Sequence, residues 1–173
     1  MNLSSEQRID WLRLIRTDGI GPATFRQLID KFGDADKAIA QAPALARARG
    51  RRNIFKIASK DQINAELDQA DYLGARFIAS CEPAYPAPVK AISDAPPVLC
   101  VKGDPELLAK NTIGIVGARN ASAAGRKIAR DLAKDLGANG LVIASGLARG
   151  IDGAAHQAAL PPVPSLSSLA GSM

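Results

Sequence analysis

The feature that most restricts this chain is a doubled pattern in its last third. Thr112-Ile113-Gly114-Ile115-Val116-Gly117 is a short apolar run that closes on a glycine, and Ser122 to Leu136 follows with helical spacing, placing Ile128, Ala129, Leu132 and Leu136 inward. After the turn Gly137-Ala138-Asn139-Gly140, the run Leu141-Val142-Ile143-Ala144 repeats the first and leads through a second small-residue turn into a helix from Asp152 to Leu160. Short continuous apolar runs of this kind read as strands buried on both faces. Strand, helix, strand, helix with tight turns implies parallel strands, a right-handed crossover and a doubly wound sheet.

The first seventy residues have a different texture. Ser4 or Ser5 can cap a helix from Glu6 carrying Ile9, Leu12 and Ile15 on one face, continued by Ile20, with Trp11 and Leu14 beside it. Thr17-Asp18-Gly19-Ile20-Gly21-Pro22 breaks it, and Pro22 suits the first turn of the next helix, where its missing N–H costs nothing. That helix ends at Gly33; a third is expected from Ala35 to Gln41, stopping before Pro43, and a fourth from Lys60 to Leu73. Arg76 to Ser80 and Pro97 to Gly103 read as strands on either side of a proline-punctuated loop. The expected organisation is a helical domain over 1–70, an α/β part over 71–160 and a tail over 161–173 whose texture fits neither.

The two strand-to-helix turns carry the chemistry. Gly117-Ala118-Arg119-Asn120-Ala121-Ser122 follows the first apolar run, and Ser145-Gly146-Leu147-Ala148-Arg149-Gly150 follows the second. Neighbouring parallel strands place both turns on one sheet edge, where such sheets bind ligands. Helix N-termini offer unpaired N–H groups and partial positive charge there, and glycines let backbone come close to an anion. Arg119 and Arg149 supply planar forks of donors suited to phosphate oxygens, and Ser122 and Ser145 supply hydroxyls. The candidate phosphate-binding set is Gly117, Ala118, Arg119, Ser122, Ser145, Gly146, Arg149 and Gly150. A phosphate cradle used twice suits a polynucleotide backbone as well as a single nucleotide. Asp152 reads as the N-cap of the last helix, and His156, one turn in, as a packing or surface residue.

Several classes of function are disfavoured. The glycines are not followed by Lys-Ser/Thr, so the turns are not a Walker loop, and they lack the G-x-G-x-x-G spacing of a dinucleotide fold. His156 is the only histidine, which argues against a His-rich metal site and against a Ser-His-Asp triad. Cys81 and Cys100 form no metal or disulfide pattern. No apolar run approaches the roughly 20 residues that span a bilayer, and the N-terminus lacks the texture of a secretory signal, so a reduced, cytoplasmic protein is expected. The net charge is +5, and Pro43 to Lys60 holds Arg47, Arg49, Arg51, Arg52, Lys56 and Lys60 without an acid; such a block can attract a polyanion or simply form a solvated face.

The run Gly114-Ile115-Val116-Gly117-Ala118-Arg119, followed by Ser145-Gly146-Leu147-Ala148-Arg149-Gly150-Ile151-Asp152 and Ala154-Ala155-His156, resembles the DNA-processing protein A (DprA, or Smf) family. Tyr85-Pro86, Pro96-Pro97-Val98-Leu99 and Lys102-Gly103 extend the resemblance over roughly 72–160. Ala118 stands where the family usually has Ser. The resemblance implies an extended Rossmann-like domain, here incomplete, preceded by a small helix-hairpin-helix or sterile-alpha-motif-like domain. It further implies binding of single-stranded DNA, delivery to the RecA recombinase in natural transformation, no catalysis, no cofactor, and a homodimer in the full-length protein. Gly117, Arg119, Ser145, Gly146 and Arg149 would line the DNA pocket. Gly19 and Gly21, in Gly19-Ile20-Gly21-Pro22-Ala23, resemble a hairpin whose N–H groups touch DNA phosphates, or serve packing alone.

After Leu160 the family pattern is lost. Read in one shifted frame, the codons of residues 161–173 can spell A-G-T-V-A-V-L-A-G-G-L-D, a strand and glycine turn of the family's kind, so a frameshift or truncation is expected there. The competing functional reading is a nucleotide-processing hydrolase on a similar sheet, for which Asp152 is the only available base beside the turns. A third is a helical interaction module joined to a degenerate sheet.

Overall fold

Two serine capping boxes open the first and fourth helices of the chain. Ser4 accepts a hydrogen bond from the Gln7 backbone at 3.2 Å while the Gln7 side chain accepts from Ser4 N–H at 2.9 Å, and helix α1 runs Ser5–Ile15. Ser59 and Gln62 repeat the device at the head of α4, Lys60–Tyr72. This computed structural model describes residues 2–48, 56–159 and 165–167. The chain divides into two compact units, Met1–Gly103 and Asp104–Met173.

In the first unit α2, Pro22–Phe32, has proline in its first turn and stops at Gly33, whose φ of 77° is the left-handed conformation that glycine enters freely. The third helix, expected to end before Pro43, instead runs Ala35–Ala48 straight through the proline. Proline inside a helix loses one backbone hydrogen bond at a cost of about 3 kcal/mol. Alanines on both sides favour the helix, and Ala35, Ala38, Ile39 and Ala42 are buried along one face, which offsets that loss. The core of this unit gathers Trp11, Leu14, Ile20, Phe25 and Leu28, with Trp11 and Phe25 packed edge to face at 5.0 Å. Arg49, Arg51 and Arg52 of the acid-free stretch lie outside the described residues.

The two upstream strands form an antiparallel ribbon of their own rather than joining the parallel sheet: β1, Ala75–Ala79, pairs with β2, Val98–Lys102, in the register Phe77 to Cys100. Phe77 packs with Leu12, Ile63 and Ala70, and Ala79 with the Trp11 cluster, so the ribbon belongs to the helical unit's core. Between the strands lies a short helix α5, Ala87–Lys90, and Tyr85 donates to the Pro96 carbonyl at 2.6 Å across the loop. Arg8 of α1 reaches this region. Its guanidinium donates to the Phe77 carbonyl and to both oxygens of Glu82, closest at 2.6 Å, while Glu82 also accepts from the Leu3 and Ala79 N–H groups.

The second unit is the expected α/β pattern. A 3-10 turn, Pro105–Ala109, precedes β3, Thr112–Gly114; then come α6, Ala123–Ala138, β4, Val142–Ser145, α7, Ile151–Ala159, and β5, Ser165–Ser167. The sheet order is β3-β4-β5, all parallel, with Ile113 opposite Ile143 and Ala144 opposite Leu166. Part of segment 161–173, set apart by its texture, thus supplies a strand. Central β4 buries Val142 and Ile143 completely, and the small residues Ala133, Ala155 and Ala159 form the core around Ile143. Two inward assignments are corrected: Ile128 and Leu132 are exposed, because α6 turns Ala129, Ala133 and Gly137 inward instead. The helix is aligned by its small residues, which allow close approach; Leu136 still packs against the Ile143 cluster, as expected, while Ile128 and Leu132 are left outside. Nor is β3 the wholly buried strand expected: Thr112 and Gly114 are exposed at either side of a half-buried Ile113.

Candidate nucleic-acid interface

Pairing of β3 with β4 in parallel register puts both glycine turns at the same, C-terminal sheet edge, as their spacing predicts. One side chain joins them. Asp152, 6% exposed, accepts from Gly117 N–H through Oδ1 at 3.3 Å and from Gly146 N–H through Oδ2 at 3.2 Å. The N-cap role read from sequence is therefore corrected: Asp152 lies inside the first turn of α7, one residue past its start at Ile151. Its charge rests on two N–H donors and the positive end of that helix. Asp152→Ala is expected to cost about 1–3 kcal/mol of stability, the penalty for leaving its N–H partners unpaired, measurable as a shift in the urea midpoint.

Gly150 forms the second junction. Its φ is +89°, and a Cβ there would stand 2.2 Å from the Ala118 carbonyl oxygen and 2.6 Å from that of Arg119. Ile151 N–H donates to the same Ala118 oxygen at 3.3 Å. The second turn is thus laid directly against the backbone of the first. Gly117 leaves room for Ile151, whose side chain would meet a Cβ at 2.6 Å.

Within this frame the proposed contacts separate into two groups. Ala118, Arg119, Ser122 and Arg149 are exposed, and neither arginine forms an ion pair among the described residues. Ser122 caps α6 by accepting from Gly125 N–H at 3.1 Å, which leaves its own hydroxyl proton to donate. Ser145, in contrast, is buried and donates to the Ile115 carbonyl at 2.7 Å, and the Gly117 and Gly146 N–H groups point at Asp152. These three hold the turns together. His156 is buried, with Nε2 3.4 Å from the Ser145 carbonyl oxygen, which fits its packing role. Leu147 carried no signal in the sequence; it is the only non-glycine residue with positive φ, +55°, among those described, and it is half-exposed. That conformation costs a leucine about 1–2 kcal/mol.

The hairpin between α1 and α2 is a separate candidate. Gly19 has φ +80°, Ile20 N–H donates to the Thr17 carbonyl at 3.1 Å, and Gly21 precedes α2 with no side-chain cap. Thr17 is buried and donates to the Arg13 carbonyl at 2.7 Å, which anchors the turn. The open first turn of α2 faces outward at Gly21, where even an added Cβ would touch nothing within 4 Å.

The chain thus carries a helical unit with an uncapped glycine hairpin and, after it, a parallel sheet whose two glycine turns are locked at one edge. Residues 76–173 match the family DNA recombination-mediator protein A, and residues 5–69 match the DprA-like N-terminal HHH domain. The chain belongs to the DNA recombination-mediator protein A family. It is 46% identical over 141 residues to DNA processing protein DprA of Bacillus subtilis, covering 77% of this chain and 48% of that protein. It is 30% identical over 153 residues to Protein Smf of Escherichia coli, covering 87% and 40%. DNA processing protein A from Streptococcus pneumoniae has the same fold, with a TM-score of 0.69 at 24% identity over 98% of this chain and 58% of that one. The chain spans less than half the length of these two curated relatives.

Proposed function

We propose that this chain grips single-stranded DNA at the twin-turn edge, protects it, and delivers it to the RecA recombinase as a cytoplasmic recombination mediator in competence and natural transformation, acting as a homodimer in the full-length protein. The observation that carries this reading is the pair of exposed arginines, Arg119 and Arg149, on turns from adjacent parallel strands that Asp152 and Gly150 lock together. Two guanidinium forks on a fixed base match successive phosphates better than one. The hairpin at Gly19 and Gly21 offers a second, sequence-independent phosphate contact. The hydrolase alternative needs a carboxylate base beside the turns, and both oxygens of Asp152 are already engaged by backbone N–H groups.

The test is a salt titration of oligonucleotide binding. The parent chain is expected to bind single strands with an affinity that falls steeply with salt. Arg119→Ala and Arg149→Ala should each weaken binding about tenfold or more and flatten the salt slope by about one phosphate contact. Unchanged affinity in Arg119→Ala rules out the pocket, and base release from nucleoside monophosphates would favour the hydrolase.

A further inference from the structure

Two apolar side chains flank the glycines that Asp152 joins. Val116, 77% exposed, precedes Gly117, and Leu147, 47% exposed, follows Gly146. A leucine in the left-handed region is a residue held where glycine would sit without strain, in a protein that uses glycine at its other positive-φ turns among the described residues. Observed backbone strain at a functional edge points to a side chain kept for contact rather than for the fold. Leu147 is no part of the hydrophobic cluster around Ile143, so its exposed surface does not serve that core. Nor does the second unit hold an aromatic platform: no Phe, Tyr or Trp occurs anywhere from Asp104 to Met173. Any apolar face offered there to a nucleobase or sugar must be aliphatic.

We infer that Leu147, with Val116, forms an aliphatic lip that packs on the sugar and base face of the DNA strand whose phosphates Arg119 and Arg149 hold. This deepens the single-stranded DNA reading and rests on it. A strand lying across the turns presents phosphates on one side and unpaired bases on the other. The cationic side chains and the apolar ones alternate along the same two turns, Val116 before Arg119 and Leu147 before Arg149, which fits that two-sided chemistry. A lone phosphate would use only the arginines. The lip makes the edge selective for single strands, because bases stacked inside a duplex have no free face to give it.

The test uses the full chain with Leu147→Gly, which relaxes the backbone, and Leu147→Asn, which keeps a left-handed conformation that asparagine tolerates. Both variants should be at least as stable as the parent by urea denaturation. Both should bind a single-stranded oligonucleotide about five- to tenfold more weakly, the worth of roughly half a leucine side chain removed from water. Their salt slope should equal that of the parent, since no phosphate contact is lost, whereas Arg119→Ala lowers it. With an oligonucleotide lacking its bases, the difference between parent and variants should shrink to the part contributed by the sugars. Unchanged affinity in both variants while Arg119→Ala still binds weakly overturns the lip and leaves the arginine site standing. Parent-like DNA binding with loss of self-association in sedimentation would make Leu147 a protein contact and also overturn it. Absence of single-strand binding by the parent removes both readings.

Discussion

Glu82→Ala is expected to lower the stability of the first unit by about 3 kcal/mol, toward the lower end of the range for breaking a buried ion pair, because Arg8 retains some contact with water. The side chain of Glu82 is 8% exposed and holds three separate pieces of chain: Arg8 of α1, the N–H of Leu3 ahead of that helix, and the N–H of Ala79 at the end of β1. Removing it leaves a half-buried guanidinium and two N–H groups without their carboxylate. Trp11, the sole tryptophan, is buried in the same unit, so its fluorescence during urea unfolding reads the loss directly. Burial alone pushes the Glu82 carboxyl upward, but the Arg8 hydrogen bonds, the N–H groups of Ala79 and Leu3 and the Arg8 charge outweigh it, and the group sits below the usual glutamate range. A lowered folded-state value means that the unfolded chain takes up the proton first as pH falls. The stabilisation is therefore complete above the unfolded value of about 4.3 and is lost as pH drops from there through the folded value. Glu82→Gln should flatten this acid limb, and a parent and a Glu82→Gln chain with equal acid slopes would show that the carboxylate does not carry it.

Gly150→Ala is expected to cost the second unit about 3 kcal/mol or more, combining the left-handed penalty with overpacking against rigid backbone. The collision is with the carbonyl oxygens of Ala118 and Arg119, which cannot move aside as the end of a flexible side chain could. Relief requires the first turn to shift, so hydrogen exchange of the α6 and α7 amides should quicken and, on the proposed reading, single-strand affinity at Arg119 should fall. Parent-like exchange would show that the two turns are not in the contact described. Gly146 makes a useful contrast, since an added Cβ there meets only the Asp152 carboxylate at 3.0 Å.

The alternation of apolar runs and helices from Thr112 onward was enough to give the parallel pairing of β3 with β4 and the common edge of the two turns, because period and turn chemistry are local properties. The same holds for the serine caps at Ser4 and Ser59 and the stop at Gly33. What the sequence did not yield depends on partners distant along the chain. Pro43 reads as a breaker until the buried face of Ala35, Ala38, Ile39 and Ala42 is known. Ile128 and Leu132 fit an inward stripe as well as Ala129 and Ala133 do, and only close helix-to-sheet packing decides between them. Ser145 looks like a phosphate ligand from its place in the turn, yet its hydroxyl donates to the carbonyl of Ile115, thirty residues earlier. Glu82 is an ordinary acid in the sequence, and Asp152 reads there only as a helix cap or a base. The distant partners that give each its role lie 74 and 35 residues away, at Arg8 and Gly117, beyond the reach of any spacing rule.

The carboxylate of Asp152 fixes the relation of the two turns before anything is bound. On the proposed single-strand reading, capture at this edge requires little freezing of the protein's own backbone, and the ordering cost of association falls on the flexible strand. Affinity should accordingly vary with the stiffness of the oligonucleotide, easily bent thymine tracts and self-stacked adenine tracts being distinguished by their own conformational entropy rather than by any base-reading contact.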